Sequence, residues 1–481
     1  MTGIQFTRAA ARTALIACLL AGCTTVGPNY TAAPDAAPQA AARNRFLRAA
    51  GAMAQAPAAR WWESLSDPVL SQLINDALIS SPTLLTANAR VAQSRASLAA
   101  SKTAALPAIN TSLSAPYINV PGDLLGGSNG GRNEINAFNL GFDAAWEIDL
   151  FGGQRRKVEA ATARAQASEA SVADARVTLS AEIARTYVGL RARQAMQTLQ
   201  GRQVRIDSVL TSLARERLQA GTASAQPVNA AEAQMFASEA ELAKTGAEIV
   251  VLIDQLSVLT GKEPGALDVL LQSPLPVPLP PENVSVGDPA TLLRNRPDIR
   301  AAERQLAAAN ADVGVQIANR FPKISFLGIL GLGGQNIGDV FDPGNIVGLA
   351  LPRLNWSIFD GGRAARQVDV AKGAFAEAEA TYQQTVLVAL QDAEGSLARF
   401  GASRVAFARH VDATQRAEKN VQLQQQRLAA GTIGRTETLN AERQSLQMAM
   451  AAAASQAELA TAFVAVEKAL GLGWQAQEPS E

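Results

Sequence analysis

The chain has 481 residues, and its 43 acidic and 43 basic residues balance, so charge gives no reason to expect nucleic acid. About a fifth of it is alanine and 5% is aromatic, a composition that favours long packed helices over a compact enzyme core. With one histidine, His410, and two cysteines, Cys18 and Cys23, a metal site built from His and Cys is nearly excluded.

Arg8 and Arg12 form a positive region ahead of the short apolar run Thr13 to Ala21. This reads as a secretory signal over residues 1–22 rather than a spanning helix, which needs about 20 apolar residues. Leu20-Ala21-Gly22-Cys23 matches the bacterial lipobox, in which the cysteine is cleaved free and acylated; no disulfide survives this processing. Thr24 rather than Asp follows, which favours the outer membrane. No other stretch of 18 or more apolar residues is expected, so a spanning part must be built of strands.

Residues 23–60 are rich in Ala and Pro without a period, as in a lipid-anchored arm. Residues 61–106, opening Trp61-Trp62-Glu63, turn helical, and residues 107–152 switch to Gly, Pro and Asn with strand-like alternation. Residues 154–220 hold no proline and two glycines; a continuous helix there would reach about 100 Å. Gly221-Thr222 breaks it, a second helix is expected over about 227–260, and a Pro-rich linker occupies 274–287.

The pattern then repeats. Ser81-Pro82 and Leu106-Pro107 correspond to Arg296-Pro297 and Phe321-Pro322, displaced by 215 residues. Trp146-Glu147-Ile148 corresponds to Trp356-Ser357-Ile358 at 210, and Gly152-Gly153 to Gly361-Gly362 at 209. Arg217 to Thr222 corresponds to Arg427 to Thr432 at 210. Near-constant offsets indicate one duplicated unit of about 210 residues, expected over 61–273 and 288–471 with a tail at 472–481.

Within 138–150, Phe138, Leu140, Phe142, Ala144, Trp146, Ile148 and Leu150 share one face, while Asp143, Glu147 and Asp149 lie on the other. That alternation suits a tilted spanning strand with an apolar exterior and an acidic lumen, and equally a β-sandwich face packed on a core. Ile109, Leu113 and Tyr117 oppose Asn110, Ser112 and Ser114 in the same way, and Leu354, Trp356 and Ile358 oppose Arg353, Asn355 and Ser357. Over 324–333 the alternation fails, because Leu327 and Ile329 interrupt the polar face. Four strands cannot close around a pore, and open edges are not tolerated in lipid, so a spanning reading requires several chains. Val368, Ala371, Phe375, Ala378, Tyr382, Val386, Ala389, Ala393, Leu397 and Phe400 form a coiled-coil-like seam, compatible with a tube or with a solid rod.

The ordered landmarks resemble the outer-membrane factor lipoproteins of RND-type tripartite efflux systems, the OprM/TolC-like outer membrane efflux protein family. Val26-Gly27-Pro28-Asn29-Tyr30 looks like the mature start of such proteins, and Trp61-Trp62-Glu63 with Asp67-Pro68 like the start of their first helix. Trp146 to Gly152, Arg296-Pro297-Asp298-Ile299-Arg300-Ala301-Ala302-Glu303, Phe321-Pro322-Lys323-Ile324 and Phe359-Asp360-Gly361-Gly362 follow in order. The resemblance implies an α+β membrane protein: a homotrimer with four transmembrane strands per chain in a shared 12-stranded β-barrel, plus a long α-helical coiled-coil barrel in the periplasm. It implies an exit duct in the outer membrane, with a periplasmic adaptor and an inner-membrane RND transporter as partners and no cofactor or chemistry of its own. A type I secretion duct or a periplasmic coiled-coil lipoprotein are the alternatives.

The resemblance also places a periplasmic aperture at Gly431 to Arg443. Glu437 falls where TolC-like members carry an aperture acid, Asn440 where another acid is common, and Leu428 where an aromatic latch is common. Glu437 and Arg435 are the charged aperture candidates, and Asn440 would make its ring neutral. Gln226-Pro227-Val228-Asn229 occupies the equivalent turn of the first unit without an acid. Gly126-Gly127 and Gly130-Gly131 fit an extracellular loop rather than a phosphate loop, and His410 reads as a surface residue rather than a base.

Overall fold

A computed structural model of the chain describes residues 25–43, 45–49, 58–121 and 132–474. The signal segment, Cys23 and the loop glycines 126–131 lie outside the described residues. The helices longer than ten residues are α1 (Pro68–Ser80), α2 (Pro82–Thr103), α3 (Gly153–Gln219), α4 (Ala225–Leu259), α5 (Pro297–Ala318), α6 (Arg363–Ala429) and α7 (Arg435–Ala469). The strands are β1 (Ala108–Ser114), β2 (Tyr117–Pro121), β3 (Arg132–Asn136), β4 (Phe138–Ile148), β5 (Lys323–Gly334) and β6 (Ile346–Asn355).

The duplication is written in the element lengths. α2 and α5 have 22 residues each, α3 and α6 have 67, and α4 and α7 have 35. Their punctuation repeats as well. Gly221 and Gly431 end α3 and α6 at φ 69° and 71°, where a side chain is strained. The Thr222 amide reaches back to the Arg217 carbonyl at 2.9 Å, and Thr432 to Arg427 at 3.0 Å, which satisfies carbonyls the helix leaves open. This is why Arg-Leu-x-Ala-Gly-Thr occurs twice. Asp67 and Asp288, each followed by a proline, cap α1 and the short helix Pro289–Asn295 by accepting from the Leu70 and Thr291 amides.

Spatially the chain forms two units, to each of which both repeats contribute. The first comprises residues up to 34, 91–167 and 302–382. Its sheet has the order β1-β4-β5-β6, antiparallel throughout, and β2 and β3 form a separate ribbon. The strand expected over 108–117 stops at Ser114, and the chain re-pairs from Tyr117 after Pro116, which has no amide to donate. β4 likewise stops at Ile148, short of the expected 150. Trp146 and Trp356 are equivalent anchors: each indole donates to a carbonyl at the end of the preceding helix, Ala105 at 3.0 Å and Arg320 at 3.2 Å. Beside the sheet, Arg156 is buried and grips the segment at Val26–Asn29, donating to the Val26 and Gly27 carbonyls and to Asn29 Oδ1 at 2.6 Å. Gly27 (φ 91°) lies against Gly314, where a Cβ would collide with backbone. Tyr30 donates to Glu303 at 2.6 Å, and burial followed by this bond holds its phenol above its ordinary value.

The second unit comprises residues 35–90, 168–301 and 383–481. Its fully buried side chains include Leu70, Leu73 and Ile74 of α1, Tyr187 and Leu190 of α3, Leu256 of α4 and Phe463 of α7. The Tyr187 hydroxyl donates to Asp67 at 2.7 Å. Arg296 explains the Arg-Pro-Asp motif: it is paired with Asp298 at 2.6 Å and donates to the Ala469 carbonyl at the end of α7. The seam of α6 is buried at Val386, Ala389, Ala393, Leu397 and Phe400. One sequence expectation needs correction: α7 contains an 18-residue window of mean hydropathy 1.4, long and apolar enough by composition to cross a membrane. Its apolarity is largely alanine, which suits close helix approach, and a third of the window is buried within the chain.

Candidate conduit wall and aperture

The strand wall is set by register. Asp143 of β4 lies opposite Asn110 of β1 and Ile329 of β5. Glu147 lies opposite Ser325, with its carboxylate 3.9 Å from the Lys323 ammonium. Asp149 sits one residue beyond β4 and has a different task. Its carboxylate accepts from the Gln154 amide at 3.0 Å and the Arg155 amide at 2.8 Å, and pairs with the Arg155 guanidinium. It therefore caps α3, because Gly152 (φ 78°) turns the chain back over the carboxylate. Asp360 does the same for α6, accepting from Gly362 and Ala364. Of the three acids expected on one strand face, Asp143 and Glu147 lie in β4 on that face and Asp149 is a helix cap.

The wall is also less polar than alternation in β4 suggests. Ile329 faces Leu349 and Leu327 faces Leu351, with Gly331 opposite Val347. Since Ile329 also faces Asp143, all five apolar side chains share the face of Asp143 and Glu147. Leu327 and Ile329 were legible as interruptions; the β6 residues emerge only from the register, since a strand apolar on both sides has no period-two signal.

At the start of α7, Glu437 and Arg435 are exposed, and Glu437 lies in the first turn, where the helix dipole favours an acid. Asn440 lines a cavity of about 370 Å³ together with Asp207, Arg217, Thr436 and Arg443. Arg217 donates to the Thr436 hydroxyl at 3.2 Å. Arg443 lies 3.6 Å from Asp207 Oδ1, while Asp207 Oδ2 accepts from Ser238 of α4 at 2.7 Å. Asp207 is only 1% exposed, so Arg443 and Ser238 face a nearly dry carboxylate and tie α3, α4 and α7 together. Asp207 gave no sequence signal, because it sits in a helical run dense with charges. Among the described residues no cluster of three or more His, Cys, Asp or Glu side chains could hold a metal.

The family model of outer membrane efflux proteins matches residues 73–262 and again 289–472. The chain belongs to the outer membrane efflux protein family. As a member of it, the chain is an outer-membrane channel of an efflux system, extends into the periplasm and is not an enzyme. The double match is the duplication seen in the helix lengths. The chain is 29% identical to the antibiotic efflux pump outer membrane protein ArpC of Pseudomonas putida, over 96% of this chain and 95% of that one. It is 29% identical to the pyoverdine export outer membrane protein OpmQ of Pseudomonas aeruginosa, over 95% and 96%. Its structure is similar to that of the outer-membrane channel OprN, with TM-score 0.83 and 30% identity over 93% of this chain and 98% of that chain.

Proposed function

We propose that the chain assembles as a homotrimer and serves as the passive exit duct of a tripartite pump, receiving small molecules from an inner-membrane RND transporter through a periplasmic adaptor. The observation that carries this reading is the four-stranded sheet whose two outer strands are unpaired, because three such sheets supply the twelve strands a lumen requires. The wall combines the acids Asp143 and Glu147 with aliphatic side chains, a lining that suits many solutes and leaves cargo choice to the transporter. Glu437, Arg435 and Asn440 form the aperture, and the Asp207–Arg443 contact holds its helices together.

Cys23 carries the lipid. One lipid set only tethers, whereas the barrel holds itself in the membrane, so the anchor is accessory. Cys23→Ala behind an ordinary cleavable signal is expected to leave trimer in the outer membrane; complete loss of that trimer would reverse the ranking. The partners are tested by in-cell crosslinking and purification of the tagged chain. An adaptor and an RND transporter are expected in the eluate. Recovery of a type I secretion ATPase complex instead would replace the RND reading.

A further inference from the structure

We propose that the aliphatic cluster Leu327, Ile329, Val347, Leu349 and Leu351, together with Asp143, is a transit site in the barrel lumen for amphiphilic organic cations. The apolar part of the solute rests on the cluster and its cation on Asp143. The inference rests on the duct reading and concerns where a solute dwells in the wall, not how the pump chooses it.

Charge fixes which side of the sheet faces the lumen. The register sets Asp143 and Glu147 of β4, Lys323 of β5 and Arg353 of β6 on one side. The other side, with Phe142, Trp146, Phe326, Leu330 and Leu354, carries no charged residue in any of the four strands. A charged face cannot meet hydrocarbon, so the side with Asp143 is the one turned to water. The five aliphatic side chains stand on that same side, and Leu327, Val347, Leu349 and Leu351 are each 36–44% exposed.

The fold does not require aliphatic residues there, and the duplication supplies the control. Residues of β1 map onto β5 by a shift of 215, and residues of β4 onto β6 by a shift of 210. The register obeys both shifts: Ser112 opposite Gly141 becomes Leu327 opposite Leu351, and Ser114 opposite Asn139 becomes Ile329 opposite Leu349. The first repeat thus builds the same ladder positions from Ser, Asn and Gly. Such residues suit a wall that faces water. Leucine and isoleucine at the equivalent positions leave contiguous apolar surface in water, which is unfavourable until something apolar covers it. The cluster therefore answers to a ligand rather than to folding.

What borders the cluster sets the ligand's chemistry. Asp143 lies opposite Ile329 and Ile329 opposite Leu349, so the carboxylate and the far end of that row are two strand spacings apart, about 10 Å. Among the described residues no cation pairs with Asp143, whereas Glu147 meets Lys323 at 3.9 Å. Arg353 shares the face but stands four residues from Leu349 along β6, about 13 Å away. An unpaired carboxylate at one end of an aliphatic row fits a cation that carries an apolar chain or ring of roughly 10 Å. An anion with the same chain gains the apolar contact and loses the charge; a small bare cation gains the charge and loses the contact.

Block of the purified full-length oligomer in planar bilayers tests this with three probes: octyltrimethylammonium, tetramethylammonium and octanesulfonate. The readout is the concentration of each that halves the single-channel current. For the parent, octyltrimethylammonium is expected to act at roughly tenfold or more lower concentration than either of the others. Leu327→Ser with Ile329→Ser and Leu349→Asn, the residues of the first repeat, is expected to bring the two ammonium ions within about threefold of each other. Asp143→Asn is expected to bring octyltrimethylammonium and octanesulfonate within about threefold. A parent that conducts but is blocked alike by all three probes overturns the transit site and leaves the duct standing. A triple variant that keeps the parent's ratio does the same. No conductance from the parent overturns the duct itself. Should the triple variant fail to insert, Leu327→Ser with Leu351→Gly, again as in the first repeat, decides by the same ratio.

Discussion

Glu467 is 4% exposed on α7, and burial pushes its carboxyl up to about 8. The neutral acid is the form the fold favours. Because the folded value lies above the unfolded one of 4.5, the folded state binds more protons between them. Stability from this group is therefore fully present below the unfolded value and is lost as pH rises towards 8. Glu467→Gln is expected to raise the apparent Tm by roughly 2 °C or more at about pH 9 and to change it little at about pH 5. Equal melting of both proteins at both pH values would contradict the buried neutral acid. Glu437 makes the opposite case, an exposed acid whose role depends on symmetry: three copies would form a ring of charge. Glu437→Gln is expected to lower cation preference in reversal-potential measurements, and unchanged selectivity would remove it from the aperture.

Among the elements, α3, α4 and α7 are tied by Asp207, which is 1% exposed and meets both Ser238 and Arg443. Arg443→Met would strip the cation from a dry carboxylate at a cost of about 1–3 kcal/mol. The outcome expected in bilayer recordings is a higher open probability with conductance of the open level unchanged; an unaltered open probability would show that the contact only stabilises the fold. The elements were largely legible in the sequence, because glycine, proline and a capping aspartate mark their ends in both repeats. Three kinds of feature were hidden. Asp149 looked like a strand acid because alternation continues past the last paired residue, and only the turn at Gly152 turns it into a cap. Val347, Leu349 and Leu351 were hidden because their face is set by the partner strand and not by their own spacing. The Asp207–Arg443 contact joins distant parts of the chain, and no local pattern announces it.

At the scale of the whole molecule, an outer-membrane channel made from one duplicated chain must solve the same edge problem at every repeat boundary. Within the chain β4 meets β5, and β1 and β6 are left as the edges of the sheet. Arg156 fixes the Val26–Asn29 segment beside the strand–helix junction of the first unit. The proposed assembly is a water-filled conduit. Its most direct test is the conductance of the purified, detergent-extracted oligomer in planar bilayers. Discrete ohmic steps that grow in number with added protein are the predicted result. An insulating bilayer, with oligomer shown by flotation to be inserted, would contradict it.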